Sequence, residues 1–460
     1  MPMNRSFDAI VVGAGQAGPS LAGRLTGAGM KVAIVERHWF GGTCVNTGCM
    51  PTKTLVASAR VAHQVQRASE YGVNVPAGVT IDFPRAMARA HKVTEDSRGN
   101  IERWLGGMAG LTVLRGHAHF ESPDTLRVND ETISAPRIFL NVGGRAVVPD
   151  MPGVNDITYL TNTSILQLDT LPRHLVVIGG SYIGLEFAQV FRRFGVEVTV
   201  VEKQSRLIAR EDEDVSLAIR EILELEGIHV RTDAECIAFA KHPDGAAVKV
   251  DCTSGAPEII ASHVLLAVGR RPNTDDLGLD KAGVHTDKRG NIVVDDTLAT
   301  NVSGIWAMGD CNGRGAFTHT AYNDYEIIAA NLLDKDNRRV SSRIVGYALF
   351  IDPPLGRVGL TETQARASGK RLLISKRPMT RVGRAVERGE TKGFMKIVAD
   401  AETHRMLGAA ILGISADEAI HGVLDLMNAD QPYETLKWAV PIHPTVSELL
   451  PTLVGDLQPI

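Results

Sequence analysis

Two stretches of this sequence repeat one pattern, and that pattern restricts what the chain can fold into. Residues 8–36 read as an apolar strand, a glycine turn, a helix and a second apolar strand ending in glutamate, and residues 174–202 read the same way. This order of elements is typical of a βαβ unit, in which a helix joins two parallel strands. Two such units predict an α/β protein with sites for two different nucleotides.

The first glycine loop, Gly13-x-Gly15-x-x-Gly18, lies between a predicted strand and a predicted helix. Glycines there allow a tight turn and let a pyrophosphate approach the helix N-terminus. Glu36 follows 18 residues after Gly18, close to the spacing of a carboxylate that binds ribose hydroxyls. Glycine turns of this form also occur by chance, but the surrounding strand, helix and acidic residue favour dinucleotide binding.

The second glycine loop begins at Gly179, has Ser181 where the middle glycine usually stands, and ends at Gly184. Serine is small enough to let a phosphate approach. Glu202 ends the following strand, and a carboxylate there accepts a ribose hydroxyl and repels a 2′-phosphate. The sequence therefore favours NADH over NADPH. The basic neighbours Lys203 and Arg206 are the counter-indication, although a solvated basic edge explains them equally well.

The cysteine segment 41–53 carries the most specific chemical signal. Cys44 and Cys49 alone could be two buried structural cysteines. Pro51, however, favours a helix start, and a helix N-terminus stabilises a thiolate. A zinc site would need two further ligands, and the sequence has no second close cysteine pair or histidine pair to supply them. We therefore expect a redox pair and no metal site.

Composition indicates the class of protein and its cellular location. At 460 residues the chain exceeds what one core usually supports, and its 44% hydrophobic and 22% charged residues are typical of a globular protein. A net charge of −4 indicates no basic surface for nucleic acid or anionic lipid. Five cysteines are too few for a secreted disulfide scaffold, and the apolar run 9–12 is too short for a signal peptide. We expect a cytoplasmic protein that binds neither membrane nor nucleic acid.

Taken with the glycine loops, the cysteine segment resembles that of the pyridine nucleotide–disulfide oxidoreductase family, which includes dihydrolipoamide dehydrogenase, glutathione reductase and mercuric reductase. The resemblance covers essentially the whole chain, and the segment 41–53 is highly specific to the family. The other matching motifs are residues 12–19, 179–186, 268–273, 308–310, 358–362 and 442–448.

The resemblance implies two Rossmann-like nucleotide-binding domains and an α+β C-terminal dimerisation domain. FAD would bind the first βαβ unit and the nicotinamide cofactor the second. Together with a Gly- and Pro-rich connector at 143–153, the resemblance predicts the following domain boundaries. They are a first part of the FAD domain at 1–150, the nicotinamide domain at 151–272, a second part of the FAD domain at 273–341 and the dimerisation domain at 342–460.

Around the flavin, the resemblance implies contacts from distant parts of the chain. Lys53 would lie near the flavin N5 with Glu186 as its charge partner, because a nearby cation stabilises anionic reduced flavin. Asp310 would bind the ribitol chain. The other implied FAD contacts are Glu36, Thr43, Gly116 and His319, the last of which is equally typical of an ordinary helix start.

On the nicotinamide side, Tyr182 matches the aromatic residue that covers the flavin until nicotinamide displaces it, and Gly269 matches a further contact with that cofactor. A packed helix residue is the alternative interpretation of Tyr182.

The resemblance also assigns the catalytic relay. Flavin would reduce the disulfide formed by Cys44 and Cys49, Cys49 would be the thiolate beside the flavin, and Cys44 would attack the substrate. His443 matches the base that takes and returns the thiol proton, and Glu448 matches the carboxylate that orients it. In the family this histidine reaches the cysteine pair of the other subunit, so a homodimer with shared active sites is implied.

Departures from individual family members narrow the choice of substrate. No cysteine follows Cys311, whereas mercuric reductase and large thioredoxin reductases carry a C-terminal cysteine pair. Pro441 replaces the first histidine of the dihydrolipoamide dehydrogenase pattern, and Glu202 stands where glutathione reductase usually has arginine. Segments 44–54 and 352–355 look most like bacterial reductases labelled mercuric-reductase-like, some of which reduce oxidants or metal ions. A disulfide, an oxidant or a metal ion remains open as substrate. The alternatives are mercuric-ion reductase, a lipoyl-enzyme subunit docked in a 2-oxoacid dehydrogenase complex, and a redox sensor with little turnover.

Overall fold

The computed structural model describes residues 4–76, 78–235, 237–251 and 255–460, so Cys236 and Cys252 lie outside the described residues. The strands, numbered along the chain, are β1 Asn4–Ser6, β2 Ala9–Val12, β3 Val32–Glu36, β4 Leu111–Arg115, β5 Ala118–Ser122, β6 Thr125–Val128, β7 Glu131–Ser134, β8 Ile138–Leu140, β9 Gly144–Ala146, β10 Tyr159–Leu160, β11 His174–Ile178, β12 Glu197–Val201, β13 His229–Arg231, β14 Ile237–His242, β15 Gly245–Val250, β16 Glu258–Ala261, β17 His263–Leu266, β18 Arg270–Pro272, β19 Ile305–Ala307, β20 Gly346–Leu349, β21 Leu355–Gly359, β22 Leu372–Pro378, β23 Phe394–Asp400, β24 Met406–Leu412 and β25 Gln458–Pro459.

The α-helices are α1 Gly18–Gly27, α2 Gly42–Thr47, α3 Cys49–Gln66, α4 Phe83–Gly106, α5 Tyr182–Arg193, α6 Glu213–Leu225, α7 Leu279–Ala282, α8 Thr318–Leu333, α9 Glu362–Ala367, α10 Gly383–Glu387, α11 Ala416–Ala419, α12 His421–Asn428, α13 Glu434–Lys437 and α14 Leu449–Gly455. Within the described ranges, no helix is both long enough and apolar enough to cross a membrane.

The first βαβ unit forms the centre of a parallel five-stranded sheet with the order β19-β8-β2-β3-β4. All four residues of β2 are buried, as expected for a strand covered on both faces by helices. In such a sheet, ligands bind beyond the carboxyl ends of the strands. The glycine loop after β2, Glu36 at the end of β3 and Asp310 shortly after β19 all lie at that edge.

The second unit forms another parallel sheet, ordered β10-β17-β11-β12-β13, with the antiparallel strands β14 to β16 as a separate small sheet. The loop after β11, Glu202 after β12 and Gly269 after β17 again share the carboxyl edge. The two nucleotide-binding sheets are therefore built alike, and the predicted α/β fold class is confirmed.

The C-terminal region is an antiparallel six-stranded sheet, ordered β20-β21-β24-β23-β22-β25, with short helices packed against it. Its central strand β23 is buried at all seven positions. Two consecutive helices, α11 and α12, cover this sheet near residue 420 and are separated only by Ile420. Beyond α13, Trp438, Val440 and Ile442 are 77%, 96% and 80% exposed in the single chain.

Candidate functional site

The loop that follows β2 needs glycine for steric reasons. Gly13 has φ +103°, and a Cβ there would lie 2.2 Å from the carbonyl oxygen of Asn141. Glu36 stands across from this loop. Its carboxylate accepts hydrogen bonds from the backbone N–H groups of Ala14 and His38, each at 2.8 Å. In dinucleotide-binding folds, a glycine loop and a carboxylate so placed are the features that can hold a pyrophosphate and a ribose.

The second loop repeats this arrangement. Gly179 has φ +111°, and a Cβ on Gly184 would lie 2.2 Å from the Gly179 carbonyl oxygen. Glu202 accepts hydrogen bonds from the backbone N–H groups of Gly180 at 2.6 Å and Gln204 at 2.8 Å. The carboxylate is therefore held at the same place relative to its loop as Glu36 is in the first unit.

The cysteine pair spans two consecutive helices. Cys44 lies in the short helix α2, and Cys49 is the first residue of the 18-residue helix α3. Gly48 separates the helices, and a Cβ there would come within 2.8 Å of the Thr43 carbonyl oxygen. This break places the Cys49 sulfur at a helix N-terminus, where the helix dipole favours negative charge.

In the dithiol form the two sulfurs differ in acidity. The pKa of Cys49 is lowered to about 6, first because the Cys44 thiol donates a hydrogen bond to it, and further by Thr318 and Lys53 against the cost of burial. The pKa of Cys44 is raised by the same hydrogen bond and by burial. At neutral pH the pair therefore holds one thiolate, on Cys49, and one proton, on Cys44.

Lys53 and Glu186 form an ion pair beside this thiolate, with 2.7 Å between Nζ and Oε2. The Glu186 side chain is 5% exposed, and its other oxygen accepts a hydrogen bond from the Phe350 backbone N–H at 3.1 Å. The Lys53 ammonium also lies 4.8 Å from the centre of the Phe350 ring. A cation fixed in this way stabilises negative charge that forms beside it.

The residues implied to hold the flavin converge from three segments. Arg270 donates a hydrogen bond to the Thr43 hydroxyl at 3.2 Å, and its Nε lies 3.8 Å from a carboxylate oxygen of Asp310. Burial raises the pKa of Asp310, and the Arg270 charge opposes this rise. A Cβ on Gly42 would touch the Gly15 Cα at 2.9 Å, so the cysteine segment packs directly on the nucleotide loop. These features together suit a flavin dinucleotide. The Asp310 carboxylate could accept hydrogen bonds from hydroxyl groups, the Lys53 cation could lie near the ring, and the glycine loop could hold the phosphates.

Gly116 and His319, which the resemblance also implies as flavin contacts, lie in two different parts of the site. The Gly116 backbone N–H donates to the Glu36 carbonyl oxygen at 3.0 Å, which places Gly116 at the adenosine end. His319 lies one residue into α8, where its Nε2 bonds the Gly346 carbonyl at 2.7 Å and its ring stacks on Phe317. Burial lowers the pKa of His319, so the ring is neutral at pH 7 and donates that hydrogen bond.

On the nicotinamide side, Ser181 immediately precedes α5, and Tyr182 is the first residue of that helix. The Tyr182 ring packs edge-on against Phe317 and Tyr347, with centroids 5.9 Å and 5.6 Å apart. Gly269 has φ +130° and open space where a Cβ would project. The second loop therefore leads directly to an aromatic cluster on the same side as α8.

His443 and Glu448 are paired but lie on the surface of the single chain. Nδ1 of His443 is 2.9 Å from a Glu448 carboxylate oxygen, and the histidine side chain is 79% exposed whereas that of Glu448 is 13% exposed. The exposed Trp438, Val440 and Ile442 lie just before them in the chain. Large apolar side chains at this exposure are typical of a surface that another chain covers.

Sequence reasoning missed three residues that touch the site. Thr318 Oγ1 is 3.4 Å from the Cys49 sulfur, Arg270 bonds Thr43, and Arg210 lies over the Tyr182 ring. Arg270 belongs to a family motif and could have been singled out. Thr318 is 269 positions from Cys49, and Arg210 lies in a loop without a motif, so neither gave a signal in the sequence.

Valine is similar in size to threonine but has no hydroxyl. Replacing Thr318 with valine therefore removes a hydrogen-bond donor from the thiolate and is expected to raise the pKa of Cys49 above about 6. The Cys49 thiolate should give the reduced, flavin-loaded protein a long-wavelength absorbance. Titration of this absorbance with pH measures the pKa of Cys49. Thr318→Ser keeps the hydroxyl and is expected to titrate like the wild type. Equal pKa values in the valine and wild-type proteins would remove Thr318 from the site.

Family comparisons decide the class of this site. Residues 7–324 match the family described as pyridine nucleotide-disulphide oxidoreductase, and residues 345–454 match the dimerisation domain of the same family. The chain belongs to the pyridine nucleotide-disulphide oxidoreductases. It is therefore an oxidoreductase of a family that uses a flavin and a nicotinamide cofactor, and it carries that family's dimerisation domain.

Relatives within the family are similar in sequence to this chain along nearly its whole length. A probable pyridine nucleotide-disulfide oxidoreductase, RclA of Escherichia coli, is 36% identical over 97% of this chain and 98% of its own length. A mercuric reductase of Bacillus cereus is 33% identical over 94% of this chain and 70% of its own. A dihydrolipoyl dehydrogenase of Thermus scotoductus is 33% identical over 96% of each.

A solved structure shows the same fold at a similar level of sequence identity. The Cu(II) complex of the HOCl-induced flavoprotein disulfide reductase RclA from Escherichia coli has a TM-score of 0.89 at 36% identity, covering 98% of this chain and 99% of that one. The chain is thus similar to flavoprotein disulfide reductases in every domain.

Proposed function

We propose that this chain is an NADH-dependent flavoprotein reductase that passes electrons through Cys44 and Cys49 to a disulfide, oxidant or metal-ion acceptor. The observation that supports this best is the pair of thiols with opposite pKa shifts at the start of α3, next to the Lys53–Glu186 ion pair. Two structural cysteines would not need a fixed cation beside one sulfur and a proton held on the other.

When bound, the flavin would supply two-electron transfer from the nicotinamide cofactor to the disulfide, with Glu36 and Asp310 among the residues that would hold it. The residues of the chain then manage charge and protons. Lys53 and the α3 N-terminus stabilise the Cys49 thiolate, while Cys44 keeps its proton until an acceptor arrives. Loss of that proton makes Cys44 a nucleophile.

With a disulfide acceptor, the Cys44 thiolate attacks one sulfur, the acceptor S–S bond breaks and a mixed disulfide forms. Cys49 then attacks the Cys44 sulfur, releases the second acceptor thiolate and restores the Cys44–Cys49 disulfide. The proton from Cys44 goes to a base and then to a leaving thiolate, so atoms and charges balance. His443, oriented by Glu448, is the base in this proposal.

In this proposal the base comes from a second copy of the chain. In the single chain His443 faces solvent beside the exposed apolar residues of 438–442. A homodimer would cover that surface and bring His443 of the partner subunit to Cys44. Each active site would then be made by two chains.

Replacing Glu202 with alanine is expected to lower the preference for NADH over NADPH by about tenfold or more, because a carboxylate repels the 2′-phosphate and accepts a ribose hydroxyl. The ratio of kcat/KM for the two cofactors measures this preference. Glu197→Ala, at the exposed start of the same strand, removes an equal charge and should leave the ratio unchanged. A wild-type enzyme without a preference for NADH would contradict the assignment.

Copper is a second candidate acceptor, favoured by the solved Cu(II) complex of the similar RclA. Two soft sulfur ligands suit copper, and oxidation of the reduced pair, a Cys49 thiolate and a Cys44 thiol, to the disulfide releases two electrons and one proton. Those electrons would reduce two Cu(II) ions to two Cu(I) ions.

An anaerobic titration tests the proposed function. The holoenzyme reduced with NADH should develop a long-wavelength band from the Cys49 thiolate, and the acceptor that removes the band fastest identifies the substrate. Lipoamide, oxidised glutathione, mercuric ion and cupric ion are the acceptors to compare. Flavin that bleaches without such a band would overturn the proposed role of the cysteine pair.

A further inference from the structure

Tyr182 lies in a cluster of aromatic rings contributed by three parts of the fold. Phe317 precedes α8, Tyr347 lies on β20 of the C-terminal sheet, and Tyr182 starts α5. Phe317 and Tyr347 are nearly parallel, with centroids 5.6 Å apart, and Tyr182 meets both edge-on. This geometry is the favourable one for aromatic rings and gives Tyr182 a defined resting position.

Arg210 closes this cluster from the solvent side. Its guanidinium carbon is 4.8 Å from the centre of the Tyr182 ring and 5.8 Å from that of Tyr347. Both distances lie within the range of cation–π attraction. Arg210 itself is exposed, in the loop between β12 and α6.

Tyr347 is the fixed part of the cluster. Its hydroxyl donates a hydrogen bond to Glu211, which is 2% exposed and also accepts from Arg357 Nε at 3.0 Å. Arg357 is likewise buried, at 1% exposed. The carboxylate next to Arg210 in the chain is therefore bound inside the protein, and the Arg210 cation lies on the two tyrosine rings.

We propose that Arg210 is a latch that holds Tyr182 closed and thereby weakens binding of the nicotinamide cofactor. The inference rests on the proposed nicotinamide site, in which Tyr182 must leave its resting position before nicotinamide can enter. Opening breaks the Arg210–Tyr182 contact, whereas Tyr347 stays in place and can keep the cation. When only a fraction of the protein is open, the apparent Kd rises in inverse proportion to that fraction.

The test compares binding of NAD⁺ to the flavin-loaded wild type and to three variants by calorimetry. Arg210→Gln removes the cation and should bind NAD⁺ about two- to fivefold more tightly, as expected from losing one cation–π contact. Arg210→Lys keeps a cation and should bind like the wild type. Arg220→Gln, on the exposed face of α6, loses an equal charge away from the cluster and should also bind like the wild type.

Two results would overturn the latch. Unchanged or weaker binding in Arg210→Gln would show that Arg210 does not hold Tyr182 or instead attracts the cofactor phosphates. Tighter binding in Arg220→Gln as well would trace the effect to net charge. Failure of the proposed function is distinguishable, because the wild-type flavin would then be reduced by NADH without the long-wavelength band, or would not be reduced by NADH at all.

Discussion

The Cys49→Ser variant is expected to lose turnover with thiol-dependent acceptors by about three orders of magnitude or more, the scale seen when an essential covalent group is removed. Serine cannot form the disulfide, and its hydroxyl stays protonated where Cys49, with a pKa of about 6, is a thiolate. The long-wavelength band of the reduced enzyme should vanish with it. Steady-state assays and anaerobic spectra measure the two effects on the same preparation.

Cys44→Ser should behave differently although it is equally inactive with a disulfide acceptor. Without Cys44 no internal disulfide forms, so Cys49 remains a thiolate and the band should be present before any reductant is added. Both variants should still pass electrons from NADH to a one-electron dye, because that reaction needs only the flavin. Identical spectra in the two serine variants would contradict the separate roles.

Cys311 offers a matched thiol control. Its sulfur is fully buried and lies 3.4 Å from the Met308 carbonyl, and burial raises its pKa to about 12. Cys311→Ser preserves the size and the donor, so turnover and the band should be retained. A loss of the band in this variant as large as in Cys49→Ser would mean that the spectrum reports general damage.

The sequence predicted those parts of the site that depend on neighbouring residues. A glycine loop between strand and helix, and a carboxylate after the next strand, are local patterns, so both nucleotide-binding loops and the carboxylates Glu36 and Glu202 could be placed at strand ends. The resemblance added the order of domains and the pairing of Lys53 with Glu186, which the structure places 2.7 Å apart. No local pattern could give that distance, since the two residues are 133 positions apart.

Contacts between distant segments without motifs could not be predicted. Thr318 reaches Cys49 because α8 begins where α3 begins, and Arg210 reaches Tyr182 because a loop folds over an aromatic cluster. Both contacts join segments that are far apart in the chain and meet only once it has folded. The break between α2 and α3 gave no signal in the sequence either: a Cβ on Gly48 would come within 2.8 Å of the Thr43 carbonyl oxygen, an approach that arises only in the folded segment.

In the proposed homodimer, the thiol that holds the proton and the base that takes it would come from different chains. The Lys53–Glu186 ion pair and the two thiols fix charge inside one chain, but the proposed base, His443, is 79% exposed. A histidine held by one carboxylate on an otherwise open surface has the orientation of a base and no reactant to act on. A second subunit would supply the reactant.

His443→Gln is expected to lower turnover with a disulfide acceptor by about 10² to 10⁴, the usual contribution of a positioned acid–base group. The reduction of the flavin by NADH should be unaffected, because His443 acts after the electrons reach the cysteines. Rapid mixing with NADH separates this half-reaction from turnover. An equal slowing of both half-reactions would indicate a structural defect instead.

Mixed dimers decide whether the base crosses between chains. Homodimers of Cys44→Ser or of His443→Gln should each keep about 1% of wild-type activity or less, but a mixed dimer would contain one site with Cys44 from one chain and His443 from the other. Random reassociation makes half of the dimers mixed and one of their two sites intact, so about a quarter of wild-type activity should return. If His443 served its own chain, every site would carry one defect and no activity would return.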